Sequence, residues 1–292
     1  PYGVPRYKDV ILSELVDVKN DGSIRLNLSY FGFLGGLRMT NRRFSRLFDG
    51  PPRRPETEIT QREMDIAASI QAVTEEIVLR MVNHVCKETA QKNLCLAGGV
   101  ALNCVANGRI LREGPFENIW IQPAAGDAGG ALGAALSVWY RYLENNRSHS
   151  EGKDRQKGSY LGPVFSDVDI KTFLTEKGYR FHTVEEHGRA KIIAGLIAEG
   201  KIVGYLSGRM EFGPRALGAR SILGDPRRGD TQSVMNLKIK YRESFRPFAP
   251  TVLEERTADY FDIQVPSPYM LLVADVQEKR RLPQPSRDGM PM

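Results

Sequence analysis

Cysteine and long apolar segments are scarce in this chain of 292 residues. The three cysteines are too few, and too apolar in setting, for a disulfide framework, so we expect a reducing, cytoplasmic environment. The longest apolar stretches, such as 131–140, fall short of the roughly 20 residues that span a bilayer. Residues 1–10 are polar and lack the apolar core of a signal peptide. These absences predict a protein that neither spans a membrane nor depends on disulfides.

Histidine is equally scarce. The four histidines, His84, His149, His182 and His187, include no pair spaced one helical turn apart. A metal site needs several ligands that lie close together. From the residues alone, the chain therefore contains no metal-ligand pair.

The composition is that of a folded protein, with 41% hydrophobic and 26% charged residues and enough length for two domains. The net charge of +6 is concentrated in residues 209–246, which hold nine Lys or Arg and four Asp or Glu. Arginines among glycines favour a pocket that binds anions. A solvated basic face and a nucleic-acid patch explain the charge equally well, so charge alone leaves three interpretations open.

Hydrophobic periodicity predicts one long helix early in the chain. Thr60 and Glu63 form a capping-box pattern at its start, and the helix is expected to end near Gln91. Apolar residues recur behind the cap at helical spacing: Ile66, Ile70, Val73, Ile77, Met81 and Val85. The first sixty residues are expected to be irregular with short strands.

Two glycine loops follow two short apolar strands. The strand 94–96 leads into Gly98 and Gly99 and a helical segment 100–112, and the strand 119–122 leads into residues 126–130 and an alanine-rich helix ending near residue 142. This alternation predicts an α/β fold with a parallel sheet. Ligands bind at the edge where such strands end, and both loops are expected there.

A polar stretch, residues 144–159, has no apolar side chain and predicts a linker or exposed loop. We therefore expect two domains, 1–150 and 151–292. The second domain is predicted to contain strands at 160–165, 179–184 and 201–206, a helix capped by Ser166 or Asp167, and a helix over 185–199.

Each glycine loop has a functional and a structural interpretation. Backbone N–H groups beside Gly98 and Gly99 suit phosphate or ribose oxygens, and Asn103 could bond a ligand, but a tight turn also needs glycine. Asp127 in the second loop could bind a metal or a sugar hydroxyl, or could cap the helix that follows it.

The strongest pattern is the segment 208–224, with four glycines and three arginines, Arg209, Arg215 and Arg220. Its apolar residues need burial, which draws the arginines inward, where they must find anions. Cations alternate with aromatic residues again over 236–250, where prolines stiffen the chain. Both segments favour a closed anion pocket over an open nucleic-acid surface.

At residues 208–224 and 240–250 the chain resembles the O-carbamoyltransferase family that includes NodU and TobZ, and residues 98–103 and 126–133 resemble the nucleotide loops of that family. The resemblance implies that residues 1–150 are the second half of an actin/hexokinase-like (ribonuclease H-like) domain and residues 151–292 a YrdC-like α/β domain. It implies an enzyme that makes carbamoyl-adenylate from ATP and carbamoyl phosphate and passes the carbamoyl group to a hydroxyl.

The resemblance also implies roles for single residues. Gly98, Gly99, Val100 and Asn103 would contact the adenylate, and Asp127 would bind iron. The implied catalytic residues are Arg209, Glu211, Arg215, Lys240 and Arg246, of which Arg209, Lys240 and Arg246 would face phosphate. Met210 and Phe212 would line the carbamoyl phosphate side with Glu211 and Arg215, and Arg220 and Arg242 would complete the nucleotide site.

The implied cofactors are ATP and divalent iron, with magnesium as a further candidate, and the implied partners are carbamoyl phosphate and a hydroxylated small-molecule acceptor. Membrane and nucleic acid are not expected partners, and a homodimer is a candidate assembly. The paired His-x-x-x-His metal ligands of the family are absent from this chain. We therefore expect a fragment of a longer enzyme, without complete activity by itself, whose second domain is also truncated in the polar tail 283–292.

Two other functions remain open. The pI of about 9.2 and the basic stretch fit an RNA-binding protein, such as a tRNA-modifying threonylcarbamoyl-type relative. The glycine loops alone fit a sugar-kinase-like ATPase. RNA binding that weakens steeply with salt would favour the first, and ATP turnover independent of carbamoyl phosphate the second.

Overall fold

The computed structural model describes residues 2–55, 57–148 and 154–283, which form a mixed α/β structure. The chain divides into two compact units. Unit 1 comprises residues 1–96 and 103–121, and unit 2 comprises residues 97–102 and 122–292. The expected boundary between residues 150 and 151 lies outside the described residues and stays a prediction. The described residues on both sides of it belong to unit 2.

Unit 1 begins with short elements, as expected for the first sixty residues. A one-turn helix α1 (Lys8–Val10) continues as a π-helix (Ile11–Leu15) into strand β1 (Val16–Val18), which pairs antiparallel with β2 (Ile24–Leu26). A 3₁₀ turn (Leu28–Tyr30) and helix α2 (Arg42–Leu47) follow. The side chain of Asn41 caps α2 by accepting hydrogen bonds from two backbone N–H groups.

The long helix α3 (Gln61–Thr89) confirms the periodicity and the predicted capping box of Thr60 and Glu63. It ends at Ala90, whose φ of 51° is left-handed and cannot continue the helix. The apolar residues that recur along this helix are only partly buried. Val73 is buried, but Ile70, Met81 and Val85 are exposed, because the polar Asp65 and Ser69 take part of the buried face.

These two polar residues attach the start of the chain to α3. Ser69 Oγ accepts a hydrogen bond from the backbone N–H of Tyr7 at 3.0 Å, and Asp65 accepts one from the N–H of Val4 at 2.8 Å. The core beside them is formed by the buried residues Tyr7, Ile11, Leu15, Val16, Phe48 and Val73. Burial of these polar groups costs little because each finds a partner.

The expected parallel pair of strands is confirmed. Strand β3 (Asn93–Leu96) pairs in parallel with β4 (Asn118–Ile121), in a register that sets Leu96 opposite Ile121. Helix α4 (Cys104–Glu113) connects them and buries Ile110 against Val82 and Leu94. The predicted helix 100–112 is broken at Asn103: a 3₁₀ turn (Gly99–Leu102) precedes α4, and Asn103 caps α4.

Unit 2 begins, after β4, with α5 (Asp127–Ser137), extended by a π-helix (Val138–Tyr142) as predicted. Helix α6 (Asp167–Glu176) has the predicted cap at Ser166, and α7 (Glu186–Ala198) matches the expected helix. None of the residues of α5, α6 and α7 is buried. Shorter elements complete the unit: a turn (Lys157–Ser159), α8 (Thr231–Val234), a π-helix (Met235–Lys240), α9 (Thr257–Tyr260), and 3₁₀ turns (Glu254–Arg256 and Glu278–Arg280).

The strand predictions in unit 2 are partly wrong. Strand β5 (Val203–Leu206) confirms one of them, and it pairs antiparallel with β6 (Arg220–Leu223), which was not expected. Residues 160–165 form no strand, since Pro163 has no N–H and only isolated main-chain bonds reach Met210. Residues 179–184 are irregular and exposed, without a strand beside them in the described residues. Within those residues, no helix has the length and apolar character needed to cross a membrane.

We expect Ile110→Ala to lower the free energy of unfolding by about 2–5 kcal/mol, since Ile110 is 1% exposed and its loss leaves a cavity. The control is Ile70→Ala on α3, where the side chain is half exposed and the change should stay within about 0.5 kcal/mol. Urea denaturation followed by circular dichroism measures both. Equal effects of the two variants would contradict the packing around Ile110.

Candidate functional site

The arginine-rich segment is the connection of a β-hairpin in unit 2. Residues 207–219, called here the arginine loop, join β5 to β6, whose register sets Leu206 opposite Arg220. The hairpin is closed by a hydrogen bond of 3.0 Å from the N–H of Ser207 to the carbonyl of Ala219. Most apolar side chains of the segment 208–224 are half-buried, as the sequence indicates.

Glu211 organises the arginine loop from inside. It is 5% exposed, and its carboxylate accepts hydrogen bonds from the N–H groups of Leu217 at 2.6 Å and Ala219 at 2.8 Å. The Nε of Arg220 donates to the same carboxylate at 3.1 Å. Burial by itself would raise the pKa of Glu211, but the two N–H groups and the charge of Arg220 outweigh it and hold this pKa below its usual value. The carboxylate is therefore charged and positions the loop.

The guanidinium of Arg220 forms its hydrogen bonds within the arginine loop. Besides Glu211, its guanidinium donates to the carbonyls of Gly213 at 2.6 Å and Arg215 at 3.3 Å. The nucleotide-binding role expected for Arg220 and the catalytic role expected for Glu211 stay predictions. The contacts of both residues in this structure are those of positioning residues.

Arg215 has a different setting. It is half-buried, its Nη2 donates to the carbonyl of Leu102 at 3.3 Å, and its Nε is buried without a hydrogen-bond partner in the described residues. No carboxylate of the described residues forms an ion pair with it, although Glu211 lies only four positions away in the chain. A half-buried cation without a counter-charge is costly, so Arg215 favours an anionic ligand.

The two glycine loops and the arginine loop meet inside unit 2. The N–H of Gly98 donates to the carbonyl of Ala125 at 2.9 Å, which joins residues 97–102 to residues 122–126. Gly213 approaches Ala124 so closely that an added Cβ would lie 3.3 Å from the Ala124 side chain, at a φ of +119° that disfavours other residues. With the contact of Arg215 to Leu102, all three segments share one location.

This location has open space beside its glycines. Gly98 has a φ of +100°, and no atom lies within 4 Å of where a Cβ on Gly98 or Gly99 would be. Val100 is exposed next to them. Their expected contact with a nucleotide stays a prediction that the open geometry permits.

Both the oxygen and the nitrogen of the Asn103 side chain make hydrogen bonds within unit 1. Its Oδ1 accepts a hydrogen bond from the N–H of Ala106 at 3.1 Å as the cap of α4, and its Nδ2 donates to Gln71 at 2.9 Å. The side chain of Gln71 in turn donates to Asn103 at 3.2 Å. In this structure Asn103 is a helix cap, the structural alternative to its expected contact with ligand.

Asp127 belongs to no metal-binding cluster within residues 2–55, 57–148 and 154–283. It is exposed in the first turn of α5, which follows Gly126. Among the described residues, no three His, Cys, Asp or Glu side chains come together in a way that could hold a metal ion. One carboxylate does not make an iron site. The residues present therefore do not fit a complete metal centre.

Three of the predicted site residues lie at the start of the arginine loop and contact the segment 159–163. Arg209 is exposed, and its Nη1 donates to the carbonyl of Gly162 at 2.6 Å. The N–H of Met210 donates to the carbonyl of Pro163 at 2.9 Å, and the N–H of Phe212 to that of Ser159 at 2.7 Å. Met210 and Phe212 are thereby fixed through their backbones, and their side chains are half-buried.

The second cationic segment is organised by Asn236. This residue is fully buried and its Nδ2 donates to the carbonyls of Ser244 at 2.9 Å and Arg246 at 2.8 Å. Arg242 donates to Asn236 at 2.6 Å and lies over the ring of Phe248, 4.9 Å from its centre. The segment adjoins the end of β6. Met235 packs so close to Gly224 that a side chain at position 224 would not fit without displacing it.

The predicted phosphate-facing cations of this segment lie at the surface. Lys240 is exposed at the end of its π-helix, and Arg246 is exposed and paired with Glu243 at 3.5 Å. Surface pairs of this kind contribute little to stability. Their expected roles stay predictions.

Sequence reasoning missed two buried residues in the polar stretch 144–159. Gln156 is 9% exposed and Ser159 is 1% exposed, whereas the whole stretch was expected to be a linker or exposed loop. Residues 149–153 of it lie outside the described residues. The composition of the stretch carries no signal for this burial, because the surroundings that cover both side chains come from distant parts of the chain.

The protein is an α/β protein in which the half-buried Arg215 lies beside two glycine loops of unit 2. Comparison with models of known protein families identifies the class of this protein more closely. Residues 1–136 match the model of the carbamoyltransferase N-terminus, and residues 194–286 match that of the carbamoyltransferase C-terminus. The chain belongs to the carbamoyltransferase family, which confirms the family resemblance.

Relatives support the same assignment. An uncharacterized protein of Synechocystis is 60% identical over 97% of this chain and 46% of its own length. Nodulation protein NolNO of Sinorhizobium fredii is 37% identical over 96% of this chain and 40% of its own length, and nodulation protein NolO of Bradyrhizobium diazoefficiens is 36% identical over 96% and 49%. The chain spans less than half the length of these relatives.

The lowered pKa of Glu211 predicts a pH-dependent effect of Glu211→Gln. The charged carboxylate stabilises the fold above the pKa of an unfolded glutamate, about 4.3, and that contribution is lost as the pH falls through the lower folded pKa. We expect the variant to lose about 1–3 kcal/mol at pH 7, since the amide keeps one oxygen for the loop N–H groups but removes the charge and the second oxygen that accept from Arg220. This difference should shrink below pH 4.3.

Chemical denaturation at pH 7 and across the acid range measures this difference. The control is Glu199→Gln, whose exposed carboxylate pairs with Lys201 at the surface and should cost less than about 0.5 kcal/mol. A difference between wild type and Glu211→Gln that does not change between pH 7 and the acid range would contradict the charged state of Glu211.

Proposed function

We propose that this chain serves ATP-dependent O-carbamoyl transfer, and that the site around Arg215 in unit 2 binds the phosphate groups of the reaction. Membership in the carbamoyltransferase family supports the transfer. The observation that carries the phosphate site is Arg215, a half-buried guanidinium without an ion pair to any described carboxylate. Phosphate oxygens are the ligands that match a guanidinium with two or more free N–H groups.

The other cations near the loop are less suited to this role. Arg220 is neutralised by Glu211, and Arg242 is held by Asn236 and Phe248. A guanidinium already paired with a buried carboxylate has less charge to offer a ligand. Arg209, Lys240 and Arg246 are exposed and are proposed as outer, phosphate-facing cations.

The glycine loops provide the surface on which the nucleotide would lie. Open space borders Gly98 and Gly99, so a ligand could approach their backbone without a side chain in the way. The start of α5, beside Gly126, adds N–H groups that favour negative charge. This arrangement supports ATP as the nucleotide.

The proposed reaction has two steps before transfer. Water cleaves carbamoyl phosphate to carbamate and phosphate, and a carbamate oxygen then attacks the α-phosphorus of ATP, so that pyrophosphate leaves and carbamoyl-adenylate forms. Arg215 would stabilise the charge that develops on the phosphate oxygens. Its partial burial would strengthen that interaction by lowering the local dielectric. In transfer, an acceptor hydroxyl would attack the carbamoyl carbon and AMP would leave.

The finer fold assignment is part of the proposal. Residues 1–150 would be the second half of an actin/hexokinase-like domain that transfers the carbamoyl group, and residues 151–292 a YrdC-like domain that forms the adenylate. The acceptor would be a hydroxylated small molecule. Asp127 would be one iron ligand only with donors outside the described residues, so no step above depends on a metal.

Ligand-induced stabilisation tests the phosphate site. Carbamoyl phosphate and ATP should each raise the melting temperature of the 292-residue chain by several degrees at saturating concentration, because they bind the folded state alone. Arg215→Ala should weaken both ligands at least tenfold, as expected for loss of a charge-assisted bond. Differential scanning fluorimetry at several ligand concentrations measures this.

A matched control for Arg215→Ala is Arg189→Ala, an exposed arginine on α7 that pairs with Glu186. It should respond to both ligands as wild type does. If neither ligand shifts the melting temperature of the folded wild-type chain, the proposed function is wrong. If Arg215→Ala and wild type respond alike, the phosphate site lies elsewhere.

The products of ATP distinguish the proposal from a sugar-kinase-like ATPase. We expect the chain to form pyrophosphate and carbamoyl-adenylate from ATP only when carbamoyl phosphate is present, because carbamate is the nucleophile. Chromatography of labelled nucleotides and a pyrophosphate assay measure this. ADP and phosphate, formed at the same rate without carbamoyl phosphate, would contradict adenylate formation.

A further inference from the structure

Three buried hydrogen-bond donors in unit 2 have no partner within the described residues. They are Nε2 of Gln156, Oγ of Ser159 and Nε of Arg215. Gln156 and Ser159 are more than nine-tenths buried, so neither side chain can turn to bulk water. A buried polar group without a partner costs about 1–3 kcal/mol, and such groups concentrate where a ligand completes them.

The three atoms share one chemical character. The amide Nε2 and the guanidinium Nε can only donate hydrogen bonds, and the serine hydroxyl can donate one. A set of three donors that includes one positive charge is complementary to an oxyanion. A neutral apolar ligand would leave every one of them unsatisfied.

Hydrogen bonds and packing connect the segments of unit 2 that carry the three donors. The carbonyl of Ser159 accepts the N–H of Phe212 at 2.7 Å, three residues before Arg215. Gln156 accepts a weak hydrogen bond of 3.5 Å from Gln122, and Gly213 packs against Ala124. The segment 122–126 therefore borders both the turn that carries Ser159 and the loop that carries Arg215.

The turn that carries Ser159 is held in an unfavourable conformation. Lys157, Gly158 and Ser159 have φ values of 53°, 66° and 64°, all in the left-handed region, which is costly for the two residues with a Cβ. Asp154 maintains it by accepting hydrogen bonds from the N–H groups of Gln156 at 2.9 Å and Gly158 at 3.1 Å. The hydroxyl of Tyr269 also donates to Asp154. Backbone strain maintained in this way is typical of ligand-binding positions.

We propose that Gln156 and Ser159 bind, together with Arg215, the phosphoryl oxygens of carbamoyl phosphate. The inference depends on the proposed function for the identity of the ligand, and on the three donors for the oxyanion chemistry. It assigns a binding role to the turn Lys157–Ser159, which the pattern of the sequence indicates to be a linker. Ser159 and Gln156 are then substrate-contacting residues that select the phosphoryl group.

The substitution Ser159→Ala distinguishes a ligand-binding role of the Ser159 hydroxyl from a structural role. In the ligand-free chain this substitution removes a buried hydroxyl without a partner, so the melting temperature should stay the same or rise. Carbamoyl phosphate should nevertheless bind at least fivefold more weakly, because one of its donors is gone. A residue with a purely structural role would lower the melting temperature and leave the affinity unchanged.

Gln156→Glu tests the charge of the ligand at nearly constant side-chain shape. It replaces the donor with a carboxylate oxygen, which should repel the phosphoryl group and weaken carbamoyl phosphate at least tenfold. Isothermal titration calorimetry with carbamoyl phosphate, ATP and inorganic phosphate measures all three affinities. The expected pattern is a weakening of carbamoyl phosphate and inorganic phosphate that exceeds the weakening of ATP, because Arg215 serves ATP as well. The matched controls are Ser13→Ala and Gln91→Glu, exposed positions of unit 1 that should bind as wild type does.

The outcomes distinguish this inference from the proposed function. If wild type binds carbamoyl phosphate and Arg215→Ala loses it, while Ser159→Ala and Gln156→Glu bind normally, the inference is wrong and the proposed function stands. If the two variants weaken inorganic phosphate but wild type shows no preference for carbamoyl phosphate, the oxyanion site stands and the proposed function fails. If wild type binds none of the three anions, both are overturned. A fall in melting temperature for Ser159→Ala also overturns the inference.

Discussion

The arginine loop depends on one buried carboxylate. Glu211 accepts hydrogen bonds from two backbone N–H groups on the far side of the loop and from the guanidinium of Arg220. These contacts close the connection between β5 and β6 and bring Gly213 against Ala124. Because Glu211 pairs with Arg220, Arg215 has no carboxylate partner in the part of the chain that the structure describes. The same interaction therefore shapes the loop and decides which arginine is available to a ligand.

The site concentrates features that cost stability. A half-buried cation, two buried donors without partners among the described residues and a left-handed turn at residues 157–159 all lie in unit 2, around the segment 122–126. Folding alone would not select such an arrangement, because each feature is unfavourable without a ligand. Asp154 and Asn236 hold the two irregular segments in place through backbone contacts.

Local patterns predicted the regular elements better than the site. The capping box at Thr60, the cap at Ser166 and the parallel pairing of β3 with β4 are confirmed, because each depends on residues close in sequence or on strong alternation of elements. The strand expected at 160–165 is absent and β6 was missed. Strands need a partner from elsewhere in the chain, and short apolar runs do not identify that partner.

The sequence by itself determined the family, the α/β class and the importance of the segment 208–224, since ordered motifs and helical periodicity are properties of the chain alone. The tertiary structure decided what each polar side chain contacts. Asn103 caps a helix, Glu211 and Arg220 neutralise each other, and Ser159 is buried in a stretch without apolar residues. Hydrogen bonds and burial depend on distant neighbours, so residue type and spacing could not separate Arg215 from the other arginines.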